Sequence, residues 1–495
     1  MAPALDDASA SGKRPVDALI GAGSRTIRNT ALVMAARVVS RVLALAVLIL
    51  MNRHLSADEY GAFATTVSIS GLVAVVMDLG FNTLFQREAA RDPSQLSRYL
   101  SNLATVRPLF AIAALVVFAF GVDVFNRGEL AMIPAGFVML LLASYANLLR
   151  GSLYAVQRLG LEAIAIVAEA TILLVAVIAG VLTHQGPTYY LWAYAISYGF
   201  DCVYFFVVLH WRGIARLRPS LDWHFVGTWA RIGLPFALTF IITAIYYQVD
   251  QPLVTFFKGH AEGGWYASGY KVFGSVLFLP QTMLSVGFPV LSVMWKERDP
   301  RFTWAVERFW KGLLAIGLPV TIGCVMLSPA LRFIYYYRQS EPSFQILSIG
   351  ILFMFVTNAF IGALNAMERQ SSFAWAAFWS MVINVGTNLV AIPLWGYIGA
   401  SWTTVLTEGA LTTIGFFLLR RHLAALPIHR LSWRIVIAGL VMGGALVPFR
   451  GVTGWPVVGV IVAAALLYAI VLLLVRAIDR DEWAFVRGLL PVGRR

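Results

Sequence analysis

The sequence predicts an all-α, polytopic membrane protein of about fourteen transmembrane helices. Its 495 residues are 59% hydrophobic and only 13% charged, and the mean hydropathy is +0.76. Apolar runs of about 20 residues recur along the chain, and a helix of that length crosses a hydrocarbon layer about 30 Å thick. A soluble protein has too little interior for this composition. We therefore expect a bundle of membrane-spanning helices joined by short loops.

The apolar runs form two sets of six and a final pair, which define the expected domains. These are a cytosolic tail at 1–29, a six-helix lobe at 30–210, a cytosolic linker at 211–231, a second six-helix lobe at 232–423, and two extra helices with a cytosolic tail at 424–495. The first lobe has spans at 30–50, 63–84, 105–122, 130–149, 163–182 and 190–209. The remaining spans lie at 232–253, 272–291, 312–330, 344–364, 374–393, 400–419, 435–449 and 457–475.

The loops carry positive charge unevenly, which predicts the orientation of the chain. The first 29 residues are polar and basic without an apolar core, so we expect no signal peptide. With the N-terminus inside, cytosolic segments hold 28 of the 38 Lys and Arg, Arg150 among them, and outer loops hold six. This bias follows the positive-inside rule and places both termini in the cytosol. The net charge of +13 then favours membrane lipids as partners over nucleic acid.

An internal repeat relates the two sets of six spans. The segment 59–64 (EYGAFA) matches 262–267 (EGGWYA), and 151–158 (GSLYAVQR) matches 362–369 (GALNAMER). Because six is an even number, the two lobes share one orientation and are related by a pseudo-two-fold axis along the membrane normal. That plan is typical of transporters, whose binding site lies between the repeats near the midplane.

Several segments resemble the polysaccharide transporter, or Wzx-type flippase, family of the multidrug/oligosaccharidyl-lipid/polysaccharide exporter superfamily. They are 78–92 (DLGFNTLFQREAARD), 249–259 (VDQPLVTFFKG), 264–271 (GWYASGYK), and IGLP at 232–235 and 316–319. The resemblance covers about 30–423. It implies an alternating-access flippase, or antiporter, that moves an undecaprenyl-pyrophosphate-linked oligosaccharide across a bacterial inner membrane. The product would serve O-antigen (lipopolysaccharide), capsule or exopolysaccharide biosynthesis, with a polysaccharide polymerase and co-polymerase as partners and no cofactor.

Two arginines in the first span are candidates for binding the pyrophosphate. Arg37 and Arg41 are four residues apart, so they lie on one helix face. Planar guanidinium groups suit a multiply charged phosphate. The alternative is structural: Arg37 extends to the inner surface and Arg41 pairs with Asp78.

Four acids within predicted spans are candidates for substrate contact or coupling: Asp78, Glu169, Asp201 and Glu408. Asp201 and Glu408 occupy matching positions in the repeat. Ionisable groups within a membrane usually mark a transport pathway. The alternative is that these acids neutralise arginines in the cavity. Lys271 is likewise assigned either to the substrate or to neutralising Asp250.

Asp250 is the centre of a candidate site for a coupling ion. Span eleven carries Asn384 and Asn388 on one face, and span twelve carries Thr403, Thr404 and Thr407. Carboxylate, amide and hydroxyl oxygens are the ligands that small hard cations take. The pattern resembles the sodium site of lipid II flippases, except that Asn388 replaces an acid. The alternatives are polar packing between helices and a proton carried by Asp250.

Other metal chemistry and enzyme activity have no support in the sequence. Cys202 and Cys324 lie in separate apolar runs, and no nucleotide-binding, hydrolase or metalloprotease motif is present. A membrane polymerase or glycosyltransferase of the same pathway would need a long outer loop. A cation-coupled multidrug exporter shares the repeat, but cationic drugs would suit acids better than Arg37 and Arg41.

Two further expectations concern the membrane surface. The segments 93–107 and 219–229 mix charged with large apolar residues, which predicts that they lie along the membrane surface. Aromatic residues near the outer span ends indicate an interfacial belt. They are Trp192, Tyr266, Tyr335, Tyr336 and Tyr337.

Overall fold

A computed structural model of the chain describes residues 15–423, 428–454 and 456–477. The helices in these residues are α1 (Pro15–His54), α2 (Ala57–Asp78), α3 (Phe81–Arg91), α4 (Leu96–Phe125), α5 (Met132–Ala155), α6 (Leu159–Leu182), α7 (Pro187–Trp211), α8 (Trp223–Gln248), α9 (Asp250–Lys258), α10 (His260–Ser275), α11 (Phe278–Lys296), α12 (Phe302–Met326), α13 (Arg332–Tyr335), α14 (Ser340–Ala366), α15 (Gln370–Arg420), α16 (Ile428–Leu446) and α17 (Pro456–Leu474). Short 3₁₀ turns lie at Pro93–Gln95 and Val447–Phe449.

Thirteen helical segments of the described residues are long and apolar enough to cross a membrane. One of them, α15, contains two crossings, because Gly396 has φ 59° and ψ −143° and interrupts the helix. The chain reverses there: a Cβ on Gly399 would overlap the carbonyl oxygen of Ala391, eight residues earlier. The described residues therefore hold fourteen crossings, which confirms the predicted all-α, polytopic class.

The second and third spans begin and end at other residues than the sequence predicted. Helix α2 ends at Asp78, because Leu79 and Gly80 both have positive φ, at 45° and 76°. The predicted surface location of 93–107 is wrong over most of its length. Helix α4 begins at Leu96, and Leu96 and Leu100 are buried in the apolar core. The charged residues around Arg91 instead belong to α3, a separate helix.

The segment 219–229 is also largely the start of a spanning helix. Asp222 precedes α8 and its carboxylate accepts the backbone N–H of Phe225 at 3.0 Å. Arg98 lies 3.4 Å from the same carboxylate. The backbone hydrogen bond from Phe225, with the Arg98 contact, lowers the pKa of Asp222 below its usual value. This N-terminal cap fixes where α8 begins.

Prolines divide two of the predicted spans. The predicted span 232–253 becomes α8 and α9, which meet at Val249. Pro252 has no N–H for the carbonyl four residues earlier, and this accounts for the break just before Asp250. The predicted span 272–291 likewise becomes α10, which ends at Ser275, and α11, which begins at Phe278. Pro280 lies in the first turn of α11.

Packing divides the chain into two compact units. The first contains Met1–Leu50, Val73–Phe120 and Leu130–Phe240, and the second contains Met51–Leu72, Gly121–Glu129 and Ile241–Arg495. The core of the first unit includes Phe85 and Phe205. The core of the second includes Phe273 and Phe355. Segments from the first half of the sequence therefore belong to the second unit.

Within the second unit, the segments that the sequence repeat aligns meet each other. Gly61 and Gly264 occupy matching positions 203 residues apart, as do Ala57 and His260. A Cβ on Gly61 would overlap the carbonyl oxygen of His260, and a Cβ on Gly264 would overlap that of Ala57. Because each glycine has no side chain, the backbone of the matching segment can approach it closely, as in an isologous interface.

A second pair of matching contacts flanks the glycines. Asn52 Nδ2 donates to Ser268 Oγ at 2.8 Å, and the hydroxyl oxygens of Thr65 and Thr255 are 2.7 Å apart. The same shift of 203 residues converts Asn52 to Thr255 and Thr65 to Ser268. Such reciprocity is what a local two-fold relation produces, and it supports the internal repeat. The reciprocal contact is defined by Asn52, Ala57, Gly61, Thr65, Thr255, His260, Gly264 and Ser268.

Candidate functional site

Asp250 lies at the N-terminus of α9, and its carboxylate is held by uncharged donors. Asn388 Nδ2 donates to Oδ1 at 2.7 Å. The hydroxyls of Tyr266 and Thr404 donate to Oδ2 at 3.0 and 3.1 Å. Asp250 is only 4% exposed, so these hydrogen bonds replace water around the carboxylate. These donors come from α10 and from both halves of α15.

Amide oxygens complete the surroundings of Asp250. Asn384 is a neighbour of the carboxylate, one helical turn before Asn388. Its Oδ1 is buried and has no hydrogen-bond partner among the residues that the structure describes. Asn388 Oδ1 accepts from the hydroxyl of Thr403. A buried carboxylate beside an unpaired amide oxygen fits a monovalent cation or a proton, because either would supply positive charge.

The structure brings together most of the predicted ion-site residues: Asp250, Asn384, Asn388, Thr403 and Thr404. The hydroxyl of Thr407 instead donates to the carbonyl oxygen of Thr403 at 2.6 Å.

Tyr266 is a member of this site that sequence reasoning assigned elsewhere. It was expected in an interfacial belt, but it is 1% exposed and contacts both Asp250 and Thr404. The segment 264–271, singled out by its family resemblance, was the available signal. The belt is also wrong for Tyr335 and Tyr337, which are buried, whereas Trp192 is exposed.

Glu408 is buried inside the second unit. It is 3% exposed and accepts a hydrogen bond from the hydroxyl of Tyr246 at 2.9 Å. Tyr246 packs in an apolar cluster with Ala376 and Leu411. The carboxyl group of Glu408 is therefore held by a neutral phenol in apolar surroundings.

Asp78 is paired in the first unit, but its partner is not the one considered from the sequence. Arg107 Nη2 lies 3.4 Å from Asp78 Oδ1 and donates to Asn82 Oδ1 at 3.2 Å. Arg107 Nη1 donates to the hydroxyl and carbonyl oxygens of Ser144. At 2% exposure this guanidinium is buried, although 93–107 had been predicted at the surface. The alternative in which Arg41 pairs with Asp78 is therefore wrong.

Asp201 and Glu169 share one arginine in the same unit. Arg150 Nη2 donates to Glu169 Oε2 at 2.8 Å and also to Asp201 Oδ2. The sequence predicts a cytosolic position for Arg150, whereas the residue lies within α5, near the C-terminal end of that helix. The side chain of Asp201 is fully buried, whereas those of Arg150 and Glu169 are 23% exposed.

The three remaining candidates, Arg37, Arg41 and Lys271, have exposed side chains. Arg37 Nη2 donates to the hydroxyl of Tyr154 at 2.9 Å and lies 3.9 Å from Glu162 Oε1. The Arg41 guanidinium makes no ion pair with any residue in the described part of the chain. Of the two neighbouring arginines, Arg41 is thus the one whose charge the described residues leave unmatched.

In the part of the chain that the structure describes, fourteen apolar crossings with carboxyl, guanidinium and amide groups buried among them define a multi-pass membrane protein of the transporter type. The model of the polysaccharide biosynthesis protein family matches residues 26–295, more than half of the chain. The chain belongs to this family.

The chain is also similar to individual archaeal proteins. The chain is 22% identical over 423 residues to the probable low-salt glycan biosynthesis flippase Agl15 of Haloferax volcanii. The aligned region covers 81% of the chain and 85% of that protein. An uncharacterized membrane protein of Methanocaldococcus jannaschii, MJ1375, is 22% identical over 195 residues, covering 39% of the chain and 45% of that protein.

Solved structures share the fold. The lipid II flippase MurJ in an inward closed conformation superposes with a TM-score of 0.76 at 15% identity, covering 93% of the chain and 99% of that structure. An inward-facing multidrug resistance transporter of the MATE family, within the MOP superfamily, superposes with a TM-score of 0.66 at 15% identity, covering 78% and 95%. At these identities the likeness establishes the fold alone.

Proposed function

We propose that the chain flips a polyprenyl-pyrophosphate-linked oligosaccharide across the membrane for cell-surface polysaccharide biosynthesis. Membership of the polysaccharide biosynthesis family supports this proposal, as does a relative named as a glycan biosynthesis flippase. The observation that carries it is the exposed guanidinium of Arg41, one helical turn from Arg37, without an acidic partner in the described residues. An uncompensated positive charge within a membrane span requires an anion.

The pyrophosphate is the anion that these arginines fit best. Two guanidinium groups on one helix face present parallel N–H donors to phosphate oxygens. Arg37 is oriented by the hydroxyl of Tyr154 at 2.9 Å and lies 3.9 Å from Glu162, so Arg41 supplies the positive charge that the described residues leave unmatched. The sugars then occupy polar surroundings, and the polyprenyl tail stays in lipid.

The proposed mechanism is alternating access, in which the reciprocal contact acts as the outer seal. The predicted topology places Arg53, one residue after Asn52, in an outer loop. Backbones that touch at Gly61 and Gly264 leave no room for a solvated sugar. Opening to the outside would separate these segments and break the hydrogen bonds that Asn52, Thr65 and Leu55 make across the contact.

We assign coupling to a cation or proton at Asp250. Its hydrogen-bond donors are neutral, and the unpaired oxygen of Asn384 is free to join a cation. Binding there would neutralise a buried charge. A state of the transporter that buries Asp250 would therefore favour the occupied site, and occupancy would differ between the inward and outward states.

A deletion strain tests the function directly. Loss of the gene is expected to trap lipid-linked repeat units in the inner leaflet, where a membrane-impermeant glycosidase added outside cannot reach them. Unchanged lipid intermediates together with altered drug resistance would reject flipping and support a multidrug exporter, whose fold the chain also shares. Fractionation of the same cells tests the proposed location in a bacterial inner membrane.

Arg41 provides the sharpest variant for this assay. Arg41→Ala is expected to reduce flipping at least about tenfold, because the phosphate loses a charge-assisted contact. Arg41→Lys should retain part of the activity, since it keeps the charge but not the planar donors. Arg53→Ala, on the last turn of the same helix, is the matched control. Full flipping by Arg41→Ala would exclude this arginine from substrate binding.

A further inference from the structure

The cluster of Arg150, Glu169 and Asp201 has one more acid than base. Both carboxylates contact the same nitrogen, Nη2 of Arg150. The three residues come from α5, α6 and α7, all of which are apolar membrane spans. Neither α6 nor α7 contains a lysine or arginine that could supply a second positive charge. Fully ionised, the cluster would hold a net charge of about −1 in a medium where unbalanced charge is costly.

The geometry of the two carboxyl groups calls for a proton. Glu169 Oε2 and Asp201 Oδ2 both accept from Nη2 of Arg150, so the two carboxyl groups lie side by side. Asp201 Oδ1 is buried and receives no donor from the described residues. Carboxylates have only acceptors, so a hydrogen bond between the two groups forms only when one of them is protonated. A single proton satisfies Oδ1 and removes the excess negative charge at the same time.

The other polar groups around the cluster do not supply this charge. Neighbouring groups on α7 are neutral tyrosines and a thiol: Tyr194, Tyr198, Cys202 and Tyr204. On adjacent helices, Arg107 is paired with Asp78, Arg37 lies next to Glu162, and Arg87 and Arg91 both pair with Glu88. Arg107 and Arg37 thus have acidic neighbours of their own, and Arg87 and Arg91 are exposed side chains of α3 that share one acid.

We propose that Glu169 and Asp201 share one exchangeable proton, with Arg150 positioning both carboxyl groups. The ionised pair takes up a proton and changes from two negative charges to one, so the cluster with Arg150 becomes neutral. Because Glu169 is partly exposed and Asp201 fully buried, the proton enters and leaves through Glu169. This site is separate from Asp250, and it does not depend on the identity of the transported molecule.

Infrared spectroscopy of the full-length protein in lipid nanodiscs tests the proposal. The wild-type protein should give a carboxylic acid C=O band, shifted in D₂O, that disappears as the pH is raised. Glu169→Gln and Asp201→Asn should each lose one component of this band. Each variant should also take up about one proton fewer per chain over the same titration.

Two controls separate this site from other buried acids. Asp78→Asn removes a buried acid with its own arginine and should leave the component unchanged. Arg150→Gln should move the titration midpoint to higher pH, which a merely structural arginine would not do. If Asp201→Asn fails to fold, the test depends on Glu169→Gln, because the side chain of Glu169 is partly exposed. An unchanged band and unchanged proton uptake in Glu169→Gln would overturn the proposal.

Discussion

Tyr266 and Asp250 illustrate how a few side chains define the candidate coupling site. The phenol donates to the carboxylate while its ring is buried with Tyr270, whose ring centroid is 5.4 Å away. Tyr266 therefore orients Asp250 without adding charge. A neutral set of donors around an acid leaves its negative charge available to a cation or a proton.

Asp250→Asn is expected to abolish any dependence of flipping on an ion gradient, because the amide carries no charge to couple. The measurement is the rate of substrate flipping in proteoliposomes with and without an imposed sodium or proton gradient. Asn384→Ala should weaken the response to sodium and leave a response to protons intact, since the buried, unpaired Oδ1 of Asn384 is the proposed ligand for a metal ion.

Asp299→Asn is the control for this experiment, because Asp299 binds Arg301 in an exposed loop. A gradient response in Asp250→Asn equal to that of the wild type would remove Asp250 from coupling.

Residue spacing located some site members and missed others for physical reasons. Asn384, Asn388 and Thr404 were predicted because helical spacing sets which side chains share a face. Arg107 was missed, because a single basic residue at the end of a polar segment resembles a surface residue. Its burial depends on Asp78, a residue distant in the sequence that spacing cannot place beside it.

At the scale of helices, the turn at Gly396 makes one segment into two crossings. Its φ of 59° is unfavourable for residues with a side chain. A Cβ there would also overlap the carboxylate of Glu262. That carboxylate accepts the N–H of Tyr397 at 3.1 Å, so it caps the second half of α15.

Gly396→Ala is expected to destabilise the protein by about 2–4 kcal/mol, because backbone strain and the lost cap add together. The measurement is the midpoint of thermal unfolding in detergent. Gly386→Ala is the control. Gly386 lies in the same helix, and a Cβ there would meet nothing within 4 Å. Equal midpoints for the two variants would show that the turn tolerates a side chain.

The number of spans was predictable from apolar run length, but their internal breaks were not. Hydropathy averages over a window, so it joins α8 to α9 and α10 to α11 across prolines that interrupt the hydrogen-bond ladder. The end of α2 was missed for the same reason. Leu79 is apolar and extends the hydropathy signal although its backbone turns.

At the scale of the molecule, the reciprocal contact links the repeat to the proposed transport cycle. Thr65→Cys combined with Thr255→Cys, with Cys202 and Cys324 replaced by Ser, places two thiols where hydroxyls are 2.7 Å apart. Oxidation should close a disulfide and stop flipping, and reduction should restore it. The measurement is flipping before and after oxidation, with Thr65→Cys alone as the control.

The matching pair, Asn52→Cys with Ser268→Cys, should behave in the same way, because the two hydrogen bonds are equivalents in the repeat. Disulfides that form fully in both pairs without slowing flipping would show that these segments do not separate during transport.

The repeat itself was visible in the sequence, whereas the composition of the two units was not. Weak matches at a nearly constant offset predicted that 59–64 and 262–267 are equivalent. Whether equivalent segments touch depends on the position of the symmetry axis, which no local pattern encodes. Their contact became apparent only from the overlap of Gly61 with His260 and of Gly264 with Ala57.

The assignment of Met51–Leu72 and Gly121–Glu129 to the second unit has a consequence for biogenesis. During synthesis these pieces leave the ribosome well before Ser268, the residue that receives the Asn52 amide. The surface of the first half that carries Gly61 therefore remains without its packing partner in the bilayer until the second half is inserted. Late closure of such distant pairs makes insertion of the second half the step on which correct assembly depends.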